Sequence, residues 1–211
     1  MSPKRVPLIT AFAVLASCGQ PQPETPAAET PAPEGVRGTA PPAVAGTPSV
    51  VTLSPSTPSG STPPNGGGAD SAPVMDQLGL VFTPPTLIAR VGEPVVFTNS
   101  ETLVHNVHVR FSDTDSTVLD VETDPGARAE HTFEVSGGYA VACDHHPGMR
   151  AFIFVTDAPY AAYAEPSGEF LLAGVPPGRY SLAVWSVDPE LRSEQPIEVS
   201  GSSTEVVLER P

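Results

Sequence analysis

The sequence predicts an all-β protein, and two observations carry this prediction. From about residue 74 onward, the chain consists of short runs rich in Val, Ile, Phe and Tyr that are separated by Gly, Pro and Asp. Such runs are typical of strands joined by turns. No stretch shows the 3.6-residue apolar period of an amphipathic helix, so a β-sandwich or barrel is expected.

The first 17 residues have the features of an export signal. Two basic residues precede an apolar run over 6–15, which is too short to span a bilayer. The run ends in "LASC", which resembles the bacterial lipobox, where a leucine and two small residues precede an acylated cysteine. The resemblance implies a lipoprotein signal peptide over 1–17, a lipid on Cys18, and an exported protein anchored to a membrane of the cell envelope on the periplasmic side. An ordinary cleavable signal with an incidental cysteine is the alternative.

Residues 18–73 are predicted to form a linker. Residues 19–73 contain 13 prolines and no aromatic residue. Such a segment buries too little apolar surface to offset its ordering entropy, so it is expected to be largely disordered. A short edge strand over 48–53, around Val50 to Leu53, is a further expectation, and we assign it to the domain that follows.

Strands are expected throughout residues 74–157. They are predicted over 80–83, 86–91 and 94–98, in "HNVHVRF", and as two strands of "EHTFEVSGGYAVACD" joined at Gly137 and Gly138. The acidic stretch over 112–124 lacks the glycine and terminal glutamate of an EF-hand calcium loop, and it is expected to be a solvated loop.

A second, small β-sandwich-like unit is predicted over 158–211. It has strands expected over 169–172 and 179–187, a Pro-Gly turn between them, and a hairpin around Gly201. A unit of this length is small for independent folding, so we expect it to pack on the preceding sandwich.

The stretch "AVACDHHPGMRAF" contains a dense set of potential metal ligands. Cys143 continues the inward-facing side of a predicted strand, and His146 and Met149 follow it at C-x-x-H-x-x-M spacing on a short loop. With Cys18 acylated, Cys143 has no disulfide partner, and a bound metal would protect its thiol. His145 lies in the same loop and is left open here as a rival ligand.

A fourth ligand is predicted in "LVHNVHV". His105 shares strand parity with Val107 and Val109 and is expected to face the interior, whereas His108 shares the opposite face with Arg110. His108 and His145 are therefore expected to be exposed.

Two imidazoles, one thiolate and one thioether make a poor zinc set. Trigonal His₂Cys with a weak axial methionine is instead typical of a blue copper electron-transfer site.

Residues 77–157 resemble the cupredoxins of the amicyanin and plastocyanin type. The resemblance lies in "FTPPTLIARVGEPVVFTN", "HNVH", "CDHHPGM" and "RAFIFV". It implies a Greek-key cupredoxin domain over 74–157 that binds one type 1 copper ion. It implies that Asn106 hydrogen-bonds across to the cysteine loop and fixes the ligands. The ligands it implies are His105, Cys143 and His146, with Met149 axial.

The ligand loop departs from the amicyanin-like pattern at three positions. Asp144, His145 and Gly148 stand where such loops have other residues or more bulk. These differences would shift the reduction potential or expose the metal more, and they leave His145 as a rival ligand. The spacing favours His146, because only one residue separates His145 from Cys143, which is too close for the geometry that the family shares.

The segment "PSGEFLLAGVPPGRYSLAVW" resembles the carboxypeptidase regulatory-like, transthyretin-like β domain. This pattern implies turns and core packing, and it implies no catalysis. The residues that carry it are Gly168, Phe170, Pro177, Gly178, Tyr180 and Trp185.

The composition excludes some functions. The formal net charge is −14 and no lysine follows Lys4, so nucleic acid binding is not expected and a soluble partner is expected to be cationic. The sequence shows no nucleophile and base pair, carboxylate dyad or open metal motif, so we do not expect an enzyme.

These features predict a lipid-anchored one-electron carrier that serves redox partner proteins in the cell envelope. Copper storage, delivery or sensing is an alternative. A non-catalytic adhesion or binding module with a vestigial metal site is another.

Overall fold

The computed structural model describes residues 35–57, 72–201 and 203–208. These residues form two β-sandwiches, and the all-β prediction is confirmed. A single 3₁₀ turn at Pro189–Leu191 is the one helical element of the described residues. None of their helical structure is long or apolar enough to cross a membrane. The predicted signal peptide and Cys18 lie outside the described residues.

The first sandwich consists of two sheets formed by nine strands. These are β3 (Val74–Gln77), β4 (Phe82–Thr83), β5 (Thr86–Arg90), β6 (Pro94–Asn99), β7 (His105–Phe111), β8 (Ser116–Thr123), β9 (Arg128–Thr132), β10 (Gly137–Ala142) and β11 (Arg150–Thr156). One sheet has the order β5-β11-β10-β7-β8, and the other has the order β4-β3-β6-β9. Alternate apolar side chains from both sheets fill the space between them, and Phe97, Val107 and Ile153 are fully buried there.

One prediction for this sandwich is wrong, and another differs from the structure only in where two strands are joined. Residues 112–124 are not a loop throughout, because β8 forms the edge of the five-stranded sheet and pairs with β7. Leu119 and Val121 pack against the core and alternate with exposed acidic residues, which is the period of a half-buried strand. The two strands expected in "EHTFEVSGGYAVACD" are present as β9 and β10, but Gly137 and Gly138 begin β10 and do not form the junction. β9 pairs with β6, whereas β10 pairs with β7 and β11.

The second sandwich joins strands from both ends of the described chain. Its seven strands are β1 (Gly35–Thr39), β2 (Val50–Pro55), β12 (Tyr160–Tyr163), β13 (Glu169–Ala173), β14 (Gly178–Trp185), β15 (Ser193–Val199) and β16 (Ser203–Val207). They form sheets with the orders β12-β2-β14-β15 and β13-β1-β16. The first sandwich is thus inserted into the second, between β2 and β12.

The prediction of a linker over 18–73 is wrong for β1 and β2. The expected strand over 48–53 exists, but β2 lies in the middle of its sheet between β12 and β14 and belongs to the second sandwich. Leu53 is fully buried there, opposite Tyr160 and Leu182. The high proline content of the segment hid both strands: β2 comes from an apolar run, whereas β1 has the sequence GVRGT and supplies only Val36 to the apolar core.

The hairpin expected around Gly201 is also wrong. β15 pairs with β14, whereas β16 pairs in parallel with β1 in the other sheet. The partner of β16 therefore comes from the opposite end of the described chain, and local sequence patterns do not predict pairing over such a separation.

Trp185 connects the two sandwiches. Its ring lies 5.1 Å, between centroids, from each of Phe152 and Phe154 on the outer face of β11, and the Arg192 guanidinium lies 5.1 Å over it. Gly138 leaves room for this ring, because a Cβ atom at that position would overlap it. Arg192 also pairs with Asp113 across the junction at 3.1 Å. The second sandwich therefore packs on the five-stranded sheet of the first.

We expect Trp185→Ala to lower the free energy of unfolding by about 3–5 kcal/mol, because it leaves a cavity lined by aromatic rings. Urea denaturation followed by circular dichroism measures this change. Val135→Ala is the matched control, since this side chain is exposed and should cost almost nothing. Equal midpoints for the two variants would contradict the packing described for Trp185.

Candidate metal centre

The fold places His105 and Cys143 on neighbouring strands. His105 begins β7 and Cys143 directly follows β10, and these strands are antiparallel partners in the five-stranded sheet. Both side chains are buried, as the strand parity predicted. The backbone N–H of Asn106 donates to the Cys143 Sγ at 3.5 Å, which ties β7 to the thiol.

The loop after Cys143 is tight and places His146 and Met149 beside it. The backbone N–H of Met149 donates to the His146 carbonyl at 2.9 Å, and that of Cys143 donates to the Met149 carbonyl at 3.3 Å. Met149 is buried in the same core cluster as Cys143, whereas His146 is half-buried. The loop therefore brings His146 and Met149 back toward Cys143 at the end of β10.

The potential ligand atoms of three residues converge. The Cys143 Sγ lies 3.7 Å from the His105 Nδ1 and 3.6 Å from the His146 Nδ1. The two imidazole rings are 4.6 Å apart between centroids. Ligand atoms about 2.0–2.3 Å from one metal ion lie roughly 3.5 Å from each other, so this spacing suits a shared ion. Both Nδ1 atoms face the sulfur, as a trigonal His₂Cys set requires.

Glu101 orients His105, which the sequence did not predict. Its carboxylate lies 3.1 Å from the His105 Nε2 and also accepts the backbone N–H of Leu80 at 2.6 Å. The Leu80 hydrogen bond, followed by the bond with His105, lowers the pKa of Glu101. An ionised carboxylate at Nε2 favours a proton on that nitrogen, which leaves Nδ1 free to bind a metal. The only feature of the sequence that could have indicated this contact is the spacing of four residues between Glu101 and His105.

Asn106 makes the cross-link that the resemblance implied. Its Oδ1 accepts the backbone N–H of Asp144 at 2.6 Å. Its Nδ2 donates to the Asp144 Oδ2 at 3.2 Å and to the Asp120 Oδ1 at 3.0 Å. The side chain therefore fixes the start of the ligand loop to β7 and β8, and hydrogen bonds of this kind hold metal ligands in place.

The structure keeps His145 away from the converging atoms. Its side chain is exposed, its Nε2 lies 3.1 Å from the Glu122 Oε1, and its ring centroid is 6.4 Å from that of His146. His108 also points outward, as predicted, and its Nδ1 lies 3.0 Å from the Asp144 Oδ2. The histidines that converge on Cys143 are therefore His105 and His146.

Part of the chain matches a known family. Residues 70–156 match the model of the copper binding proteins of the plastocyanin/azurin family. The matched segment is cupredoxin-like. It covers less than half of the 211 residues and coincides with the first sandwich, which we call the cupredoxin-like domain. All strands of the second sandwich lie outside the match.

Three solved structures contain segments that are similar to this chain. A reduced amicyanin mutant is 26% identical, with 50% of this chain and 99% of that chain covered and a TM-score of 0.38. A purple cupredoxin from Nitrosopumilus maritimus is 22% identical, with 40% and 99% covered and a TM-score of 0.36. A copper-containing nitrite reductase from Thermus scotoductus SA-01 is 24% identical, with 41% and 23% covered and a TM-score of 0.38. A comparison with curated proteins found no match.

Proposed function

We propose that the protein is a one-electron carrier that binds one type 1 copper ion. The supporting observation is the convergence of a buried thiol with two imidazole Nδ1 atoms at 3.6 and 3.7 Å in a segment similar to copper binding proteins. His105, Cys143 and His146 are the proposed equatorial ligands, and buried Met149 is the proposed axial ligand.

The donor set fits copper better than the other common metals. A thiolate and a thioether select soft ions, and the imidazoles suit both oxidation states of copper. When bound, copper supplies the Cu(I)/Cu(II) couple. The Glu101 and Asn106 hydrogen bonds hold the ligands in one arrangement. Ligands that move little keep the reorganisation accompanying electron transfer small.

His146 is the proposed point of electron exchange. It is the one half-buried member of the ligand set, whereas His105, Cys143 and Met149 are buried. A partner that docks over the His146 imidazole comes closer to the metal than a partner that docks over the three buried ligands. We infer that the protein does not catalyse a reaction of its own, because four protein ligands leave no position for a substrate.

We further propose that the protein works in the cell envelope with cationic redox partners. The "LASC" ending supports a lipid anchor on Cys18, and the net charge of −14 supports electrostatic attraction to a positively charged protein. Asp120, Glu122 and Asp144 are exposed on the same side of the domain as the ligand loop and would add to this attraction.

The visible absorption spectrum of the full-length, copper(II)-loaded protein tests this function. We expect an intense blue colour from the thiolate ligand, bleaching on reduction with ascorbate and returning on reoxidation. Buried ligands should also release copper slowly to a chelator. A protein that stays colourless with copper bound contradicts the type 1 site, and a coloured protein that loses copper within seconds would indicate copper delivery instead.

A further inference from the structure

A second group of potential metal ligands lies on the outer face of the cupredoxin-like domain. One ligand atom from each of His108, Asp120 and Asp144 lies within 4.8 Å of the others. We propose that these three residues form a separate binding site for a divalent transition-metal ion such as Zn²⁺. This site is distinct from the proposed copper ligands, although Asp144 directly follows Cys143 in the chain.

Three neighbouring segments bring these side chains together. His108 on β7 lies directly opposite Asp120 on β8, so both side chains leave the same face of the sheet. His108 also pairs with Ala142 at the end of β10, and Asp144 follows two residues later. The group therefore arises from the strand register of the sheet, which places one imidazole between two carboxylates.

The distances suit a metal ion. The His108 Nδ1 lies 3.0 Å from the Asp144 Oδ2 and 3.3 Å from its Oδ1. In tetrahedral zinc sites the nitrogen and oxygen ligands are about 2.0–2.2 Å from the ion, which places them roughly 3.3 Å from one another. His108 and Asp144 thus have the separation of two ligands of one ion without any movement of the backbone.

Hydrogen bonds already orient the three ligands. The Asn106 Nδ2 donates to both carboxylates, to the Asp120 Oδ1 at 3.0 Å and to the Asp144 Oδ2 at 3.2 Å. The His108 Nε2 lies 2.9 Å from the Thr117 hydroxyl, whose oxygen can accept a hydrogen bond from Nε2–H, and in that tautomer Nδ1 is available to a metal. Partners of this kind fix the tautomer and the direction of metal ligands.

The charge and exposure of the group also favour a cation. Two carboxylates around one neutral imidazole carry a formal charge of −2 in a chain whose net charge is −14. The group is open to solvent, since the Asp144 side chain is 58% exposed, so an ion can enter directly. Mixed imidazole and carboxylate ligands suit zinc and other divalent ions of intermediate softness.

Titration of the copper-loaded, full-length protein with Zn²⁺ in a calorimeter tests the proposal. We expect one zinc ion to bind per chain and its affinity to fall at least tenfold in His108→Ala and in Asp120→Asn. His145→Ala is the matched control, because His145 is an exposed histidine that also pairs with a carboxylate. Its affinity for zinc should equal that of the wild type.

A second titration separates this proposal from the proposed copper site. Full-length Cys143→Ala lacks the thiolate of the copper site, and we expect it to bind Zn²⁺ at the second site in the same way. Loss of zinc binding on replacing His108 in this background supports the second site even if the protein never turns blue. Absence of zinc binding, or equal affinity in His108→Ala and the wild type, would overturn the proposal.

Discussion

Copper-loaded Cys143→Ala should show at most one-tenth of the visible absorbance of the copper-loaded wild-type protein. The thiolate is the only ligand of the proposed set that gives intense visible colour with copper(II). His105 and His146 keep their positions in this variant, because Glu101 and the backbone of the loop hold them. We therefore expect the two imidazoles to bind copper weakly and without intense colour. Absorption spectroscopy measures the visible absorbance, and metal analysis measures the amount of copper bound.

His145→Ala is the control that decides which histidine belongs to the site. The His145 side chain is exposed and paired with Glu122, so its loss should leave the colour unchanged, whereas His146→Ala should remove most of it. A variant set in which His145→Ala bleaches the protein and His146→Ala does not would contradict the proposed ligand assignment.

Leu53→Asp should unfold the second sandwich. Leu53 is 0% exposed and lies in a central strand, so the variant places a carboxylate among apolar side chains without a partner. Burying an unpaired charge costs several kcal/mol, which is comparable to the total stability of a small domain. Thermal unfolding followed by circular dichroism should show a large loss, together with increased proteolysis of the C-terminal strands.

Val207→Asp is the matched control for this experiment. It introduces the same group into another strand of the same sandwich, at a side chain that is 85% exposed. We expect its unfolding temperature to stay within a few degrees of the wild type. If Leu53→Asp behaved like this control, residues around Leu53 would be a dispensable linker, and the strand pairing described for β2 would be wrong.

The residues of the metal centre were more predictable than their surroundings. The alternation of His105 with Val107 and Val109 predicted its burial, which is confirmed, because strand parity is a local property. Glu101 was not predicted, since its role depends on a loop conformation that also brings it to Leu80. The outward-facing pair of His108 and Asp120 depends on the register of β7 and β8, and the sequence predicts a loop where β8 lies.

The strands were predicted more reliably than their pairing. A run such as Val50 to Leu53 indicates a strand by its composition, but the sequence does not state which strands lie beside it. Its neighbours β12 and β14 come more than a hundred residues later, after the whole inserted domain. A still longer separation in sequence, between β1 and β16, explains the wrong hairpin at Gly201, since a prediction from local sequence pairs β16 with the nearest strand.

The insertion of the cupredoxin-like domain also sets an order of assembly during synthesis. β1 and β2 are synthesised before the inserted domain, but the strands that pair with them are synthesised only after it. All strands of the inserted domain are synthesised before β12, so this domain can fold while β1 and β2 are still unpaired. We therefore expect the metal-binding part to mature before the sandwich that surrounds it in sequence, and newly made chains that end before β12 to expose the apolar residues of β2.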